Sequence, residues 1–304
     1  MMGRKRNRIR LGVWISIITI TVMTLLAIFA PIVAPYDPTQ MRVGVLNYPP
    51  AWYISSIRSG SPEFLLGTDM FGRDILSHLI HGTRAAMFLV LTAIPITVIL
   101  GTAIGLAAGL GTPFLESIFL RFTDVISSVP SIMFAVILVF ILRDTTAGAL
   151  YGGLITMTLA FALVNWVSLA RLLHASVKSL QQHEFMEASR SLGANAPHQI
   201  FKHILPHVSH LIIVWVVNNI PALILLEALL GYIGVQILQV ADGSSFQDLS
   251  WGGLILIGRT QINRNPFLLF APTFFILIIS MSFSVLGEYL NEWLNPRLDS
   301  NQIL

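Results

Sequence analysis

The sequence predicts an all-α integral membrane protein that crosses the bilayer six times. Only 11% of its 304 residues are charged, 55% are hydrophobic, and the mean hydropathy is +0.76. Soluble domains carry about a quarter charged residues, because a domain of this size must cover a large surface that faces water. The composition therefore argues against a soluble enzyme, a nucleic-acid-binding protein or a disordered chain, and it makes the lipid bilayer the expected surroundings.

Six stretches of the chain lack Asp, Glu, Lys and Arg and are long enough, or nearly so, to cross a bilayer. A helix needs roughly 20 apolar residues to span the ~30 Å hydrocarbon core. The stretches are 11–36, 85–115, 125–142, 145–170, 203–226 and 265–287, of which the third is the shortest. The sequence therefore predicts one transmembrane helix in each stretch and no soluble domain.

Basic residues near the start of the chain predict its orientation. Five Arg and Lys residues lie within 1–10, and positive charge beside the first span usually marks the cytoplasmic side. The apolar run that follows is too long for a signal peptide and no clear cleavage site ends it, so 11–34 is predicted to be an uncleaved first transmembrane helix. Six spans then place both termini, 1–10 and 291–304, in the cytoplasm.

The same topology divides the rest of the chain. It predicts an extracytoplasmic loop at 35–83 and a five-helix core at 84–290, within which a long cytoplasmic loop occupies 171–207. Structured loops of this length between spans are usually functional. Two long loops without a soluble domain indicate a pore or carrier subunit that works with partner proteins.

Two features inside the predicted spans are candidates for function. Gly101, Gly105 and Gly109 recur every four residues in the second span, where small residues allow another helix to approach closely. That helix can belong to this chain or to a second subunit. Glu227, in the fifth span, either lines a translocation path or bonds neighbouring backbone near the outer surface, because a carboxylate in a membrane needs a cavity or a partner.

The sequence predicts no bound cofactor and no metal site. Four histidines fall within 198–210, but Pro206 disturbs their helical register and the segment has no Asp or Glu to complete a site. None of the three lysines follows a glycine, so the chain lacks the glycine-lysine loop that cradles nucleotide phosphates. Any active transport must therefore draw its energy from a partner or from an ion gradient.

The loop at 171–207 has the features of a compact helix–turn–helix. Phe185 to Leu192 can form a short helix, Gly193 can end it by adopting positive φ, and Pro197 can open a second one. Pro206 then leads into the fifth span. The sequence therefore predicts a helical knob that projects into the cytoplasm.

Two motifs in the chain resemble those of one transporter family. The knob carries Glu187, Ala188, Ser189 and Gly193, followed by Ile204, Leu205 and Pro206, and it resembles the EAA loop of ABC importer permeases, with Ser189 in place of the second alanine. The outer loop contains the sequence LGTDMFGRD, which includes Gly67, Thr68, Asp69, Gly72, Arg73 and Asp74. Together they resemble the C-type permease of the dipeptide, oligopeptide and nickel importers.

The resemblance implies the type I ABC importer permease fold and a set of partners. These are a homologous B-type permease, two ABC ATPase subunits that receive the EAA loop, and an extracytoplasmic substrate-binding protein. It implies ATP-driven uptake of peptides or related small solutes, without catalysis by this chain. The alternative is an ion-gradient-driven secondary transporter, which would be expected to show an internal repeat. An intramembrane enzyme is a third reading, but Glu227 has no evident catalytic partner in the sequence.

Overall fold

Most of the described chain is helical, and the largest non-helical part is the outer loop at 34–74. The computed structural model describes residues 2–54, 59–143, 145–146, 153–233 and 250–294. Its α-helices are α1 Met2–Val33, α2 Ile75–Leu110, α3 Pro113–Ser128, α4 Ser131–Arg143, α5 Leu154–Gln181, α6 Glu184–Ser191, α7 Ala196–Gln199, α8 Leu205–Ile233, α9 Trp251–Gln261 and α10 Phe267–Leu294. This arrangement confirms the predicted all-α membrane fold.

Five helical segments are long and apolar enough to cross a membrane, and a bent pair can supply a sixth span. The five segments are Leu11–Val33, Ile75–Leu110, Leu154–Gln181, Ala196–Ile233 and Phe267–Leu294. They coincide with five of the six predicted spans. Four of them are longer than predicted. The helix α2 begins at Ile75, inside the range predicted as outer loop, and α5 continues to Gln181, inside the predicted cytoplasmic loop 171–207. The helix α8 continues past Glu227 to Ile233, and α10 continues to Leu294.

The third predicted span, 125–142, is not one continuous helix. This part of the chain forms two helices, α3 and α4, whose axes meet at 88° across Val129 and Pro130. Thr112 caps the start of α3, where its side chain accepts a hydrogen bond from the Leu115 amide, and Pro113 occupies the first turn. Pro130 has no N–H to continue the helix, so the ladder of backbone hydrogen bonds stops there.

The core forms where α2, α5, α8, α9 and α10 meet. The α2–α5 pair makes the most extensive helix contact among the described elements, and α1 packs outside against α2 and α10. Trp251, at the start of α9, is fully buried, and its indole N–H donates to the carbonyl of Leu79 at 3.1 Å. Gly82 lies directly beneath that ring, since a Cβ there would lie 2.4 Å from the indole. A glycine on α2 thus allows the start of α9 to enter the core.

Candidate functional site

The knob, residues 184–204, begins with a short helix that ends in a tight left-handed turn. Gly193 has φ +80°, a conformation that glycine adopts without strain. Its amide donates to the carbonyl of Arg190 at 2.9 Å, and the Ala194 amide donates to that of Ser189 at 3.1 Å. This pair of bonds is the Schellman motif, which satisfies the free carbonyls at a helix C-terminus. The turn reverses the chain directly after α6.

The second half of the knob runs without a break into the membrane helix. The Asn195 side chain accepts a hydrogen bond from the His198 amide at 3.1 Å and so caps α7. A π-helical turn, Ile200–Ile204, follows, and it joins α8 at Leu205. Pro206 lacks an N–H, and the widened turn comes directly before it. The knob and α8 are therefore joined without an intervening loop.

Two buried side chains hold the knob against the ends of α5 and α8. Met186 and Ile204 are fully buried in a cluster that includes Val177, Leu180 and Val208. Ile204 is therefore an anchor within this chain rather than part of a contact surface. Leu205 is half-buried and packs against the same cluster. The knob is therefore packed against both of the helices that it connects.

The opposite side of the knob presents apolar and acidic groups to solvent. Leu192 is 89% exposed and Phe201 is 71% exposed, and both are large hydrophobic residues. Glu187 and Ala188 are exposed on α6, with Ser189 half-buried beside them. A groove of about 580 Å³ lies between the two halves of the knob, with the small side chains of Ala188 and Ser189 on one wall and His198, Lys202 and His203 on the other. This surface has the character of a protein contact.

The LGTDMFGRD motif forms a buried polar cluster rather than an exposed binding surface. Asp69 is 1% exposed and Arg73 7%, and the Arg73 Nε donates to Asp69 Oδ2 at 2.7 Å. The other carboxylate oxygen of Asp69 accepts from the backbone amides of Phe71 and Arg73, at 2.8 and 2.9 Å. Asp69 thus stabilises the turn through two backbone hydrogen bonds and balances the buried charge of Arg73.

The remaining residues of this motif join two parts of the outer loop and cap the start of α2. Gly67 and Gly72 have φ +82° and +76°, and a Cβ on either would lie 2.2 Å or less from a backbone carbonyl oxygen of the preceding loop. Thr68 accepts a hydrogen bond from the Tyr48 amide at 2.9 Å. Asp74 caps α2 by accepting from the Ser77 amide at 2.8 Å. The motif therefore sets the start of α2.

The glycine stripe of α2 lies against α5 of the same chain. A Cβ on Gly101 would lie 2.9 Å from Leu169, and one on Gly109 would lie 2.8 Å from Val177. At Gly105 the obstacle is backbone, since its Cβ would lie 2.7 Å from the carbonyl oxygen of Ala170. Of the two readings that the sequence left open, the structure describes packing within the chain.

Gly105→Leu is expected to weaken the α2–α5 contact. Overpacking a close helix crossing costs about 1–3 kcal/mol or more, and the carbonyl of Ala170 cannot yield without a backbone shift. We expect a lower membrane yield and a lower thermal unfolding temperature of the purified chain. Gly44→Leu is the control, because nothing lies within 4 Å of a Cβ at that position. Wild-type yield and stability in Gly105→Leu would contradict the packing described.

Glu227 is 4% exposed and lies against the start of α9. Its carboxylate accepts hydrogen bonds from the Ser250 side chain and from the backbone of Gly252. A Cβ on Gly252 would lie 2.5 Å from the Glu227 Oε1, so the glycine makes this approach possible. A carboxylate is stabilised at a helix N-terminus by the free N–H groups and the helix dipole. This placement is that of a buried cap rather than of a group facing an open path.

Ion pairs between α3 and α5 are functional candidates that sequence reasoning missed. Arg171 donates to Asp124 at 2.7 Å, and Glu116 contacts His174 at 2.9 Å and Lys178 at 2.6 Å. The partners are 47 or more residues apart in the sequence, so spacing gave no signal. Pro130, inside an otherwise helical pattern, was a signal for the break between α3 and α4.

Comparisons with known proteins identify the family to which this chain is similar. The family model described as "binding-protein-dependent transport system inner membrane component" matches residues 101–300, and that described as "N-terminal TM domain of oligopeptide transport permease C" matches 6–50. The dipeptide transport system permease protein DppC of Haemophilus influenzae is 32% identical over 97% of this chain and 92% of its own length.

Two further relatives carry similar names. The di/tripeptide transport system permease protein DppC of Pseudomonas aeruginosa is 32% identical over 90% of this chain and 84% of its own length. The oligopeptide transport system permease protein OppC of Bacillus subtilis is 29% identical over 93% of this chain and 85% of its own length. The similarity thus covers nearly the whole chain in each case.

Proposed function

Because this chain belongs to the family of binding-protein-dependent transport system inner membrane components, we propose that it is the C-type permease subunit of an ATP-driven importer of di- or oligopeptides. The names of its relatives, which are dipeptide, di/tripeptide and oligopeptide transport permeases, support the peptide substrate. The chain itself provides part of a membrane path and performs no catalysis.

The observation that best supports this proposal is the structure of the knob. A helix–turn–helix emerges from the ends of α5 and α8, with Leu192 and Phe201 exposed at its surface. Exposed large apolar side chains with polar and charged residues beside them are a feature of protein contact sites. We propose that the knob, with Glu187, Ala188, Ser189 and Gly193 on or beside its groove, docks on one of two ABC ATPase subunits.

An importer of this kind also needs a second permease and a binding protein. A homologous B-type permease forms the other half of the path, and an extracytoplasmic binding protein delivers the solute. Closure of the ATPases on ATP moves the knob, and the knob moves α8, since the π-helical turn joins them without a loop. The two permeases then alternate between inward-open and outward-open states. The energy is transmitted by contact, and hydrolysis takes place in the partner.

The proposal is tested by uptake of a labelled dipeptide into proteoliposomes that contain the full complex of two permeases and two ATPases. We expect uptake to require both ATP and the binding protein and to persist when ionophores collapse all ion gradients. A matched complex whose ATPase cannot hydrolyse ATP serves as the control. Uptake that follows an ion gradient and ignores ATP would instead indicate a secondary transporter.

The proposed orientation gives a direct labelling prediction. Because the chain has no cysteine, Ser59→Cys in the outer loop and Leu192→Cys in the knob report their own side of the membrane. We expect a membrane-impermeant maleimide to label Ser59→Cys in intact cells and Leu192→Cys only after permeabilisation, with both termini cytoplasmic. The reverse pattern would show that the orientation is inverted.

A further inference from the structure

The turn between α9 and α10 forms one wall of a cavity on the outer-loop side of the protein. The cavity has a volume of about 700 Å³ and lies between the outer loop at 47–53 and the turn at 262–267. Its lining includes Tyr53, Asn263 and Arg264, and all three residues are exposed. None of the described residues that line it is acidic. An exposed guanidinium in a lining without carboxylates favours an anionic ligand.

Aromatic side chains lie at the edge of this cavity. The ring of Trp52 packs edge-on against that of Phe267, the first residue of α10, with 5.6 Å between the ring centres. Trp52 is 57% exposed and Tyr53 is 49% exposed. Tryptophan and tyrosine are enriched where the hydrocarbon of a bilayer meets its headgroups. The composition of the cavity edge therefore indicates a position at the membrane surface.

The packing of α10 against α1 gives the depth of the cavity in the membrane. A Cβ on Gly12 would lie 3.7 Å from Val285. The two helices are antiparallel, because α1 leads into the outer loop and Asn265, just before α10, donates to the carbonyl of Thr68 in that loop at 3.4 Å. From the Gly12 contact to the outer end of either helix is 18–21 residues, or about 30 Å. Because Gly12 lies at the inner end of the first span and the hydrocarbon is about 30 Å thick, α10 begins at its outer boundary.

The surface of α10 below the cavity is apolar. Val285, which lies nearest to α1, is at the edge of an apolar stripe whose exposed members recur every three or four residues and are Phe270, Phe274, Leu277 and Met281. The neighbouring helix α1 packs chiefly against α2 and α10 and has no charged residue within 11–33. A peripheral, uncharged helix of this kind faces lipid, and the adjoining stripe of α10 therefore faces lipid as well.

We propose that this cavity binds the headgroup of one anionic phospholipid of the outer leaflet. The guanidinium of Arg264 pairs with the phosphate, Asn263 adds a hydrogen-bond donor, and the acyl chains continue along the apolar stripe of α10. Arginine suits this role because its planar set of donors matches phosphate oxygens. The inference goes beyond the proposed function and takes from it only the orientation that names the leaflet.

The test places a photoreactive benzophenone amino acid at Tyr53, in the cavity, and in a separate variant at Phe274, in the middle of the apolar stripe. The full complex is reconstituted in vesicles of equal parts phosphatidylglycerol and phosphatidylcholine with identical acyl chains, and the binding protein is added. After irradiation, the mass of this chain shows whether it carries either lipid or another protein. The measurement needs neither ATP nor solute, so its outcome is independent of the proposed function.

We expect phosphatidylglycerol adducts to exceed phosphatidylcholine adducts about tenfold at Tyr53, which is the effect of one hydrogen bond to a charged group. At Phe274, which contacts only acyl chains, the two adducts should be equal. Arg264→Gln should abolish the preference at Tyr53, whereas Arg264→Lys keeps the charge and should retain part of it. Because the ratio is measured within one sample, it does not depend on the yield of a variant.

Three results would overturn the proposal. The first is an equal ratio of the two lipids at Tyr53 with Arg264 in place, which would indicate lipid contact without a headgroup site. The second is a preference that Arg264→Gln leaves unchanged. The third is a crosslink from Tyr53 to the binding protein or to the second permease in place of lipid, which would make the cavity a protein contact.

Discussion

Asp69→Ala is expected to disorganise the outer loop and the start of α2. The substitution removes the partner of Arg73, which is 7% exposed, together with the acceptor of two backbone N–H groups. Breaking a buried ion pair by removing one partner costs about 3–5 kcal/mol. We expect a marked fall in the thermal unfolding temperature and in the membrane yield of the assembled chain.

Two further variants separate this effect from a general sensitivity of the outer loop. Glu63→Ala removes an exposed carboxylate that accepts only a long hydrogen bond, 3.4 Å, from the Tyr36 hydroxyl, and it should change stability little. Asp69→Ala combined with Arg73→Met removes both charges, and we expect it to recover part of the loss because no unpaired charge remains buried. If the double variant is no more stable than Asp69→Ala, the unpaired charge is not the cause.

Gly193→Val is expected to uncouple transport while leaving the chain in the membrane. Nothing lies within 4 Å of a Cβ at Gly193, so the effect comes from its φ of +80° and not from a clash. A non-glycine residue held in the left-handed region costs about 1–2 kcal/mol, and a β-branched residue tolerates it least. The Schellman turn should therefore open and displace the contact surface of α6.

Gly193→Asn is the matched control, because asparagine adopts the left-handed conformation more readily than other residues with a side chain. We expect uptake to decrease in the order glycine, asparagine, alanine, valine, with the membrane yield constant. The measurement is dipeptide uptake per ATP hydrolysed by the purified complex. Equal coupling in the asparagine and valine variants would remove the backbone explanation.

Glu187→Ala distinguishes a contact role from a local helix effect. Glu187 lies in the first turn of α6, where a carboxylate stabilises a helix by about 0.3–1 kcal/mol. A buried interfacial pair that loses one partner costs about 2–5 kcal/mol. We therefore expect Glu187→Ala to weaken recovery of the ATPase with the tagged permease substantially. Wild-type recovery of the ATPase would show that Glu187 only stabilises its own helix.

The sequence predicted those parts of the fold that depend on local patterns. Uncharged apolar runs located five membrane helices, and the position of Gly193 after a short helical segment predicted the turn that ends α6. The spacing of Gly101, Gly105 and Gly109 predicted a close helix contact. The spacing did not show which helix packs against these glycines, because α5 and a helix of a second subunit would both require small residues on α2.

Features that depend on distant contacts were beyond sequence reasoning. The pairing of Asp124 with Arg171 joins residues that are 47 positions apart in the sequence, and hydropathy carries no record of such a contact. Likewise, Glu227 is a buried cap because Gly252 brings the start of α9 beside it, and nothing in the residues around Glu227 indicates this. The LGTDMFGRD motif was recognisable by resemblance, but its structural role emerged only from the contacts of Asp69 and Asp74.

The central claim is that the knob is the contact between this permease and its ATPase. Its most direct test is a photoreactive benzophenone amino acid placed at Leu192, which is 89% exposed, with Val43 in the outer loop, 87% exposed, as the control. Irradiation of the assembled, transport-active complex should link the Leu192 position, but not the Val43 position, to the ATPase. A complex that still imports dipeptide with ATP yet gives no such link from Leu192, or gives it from Val43, would contradict the account.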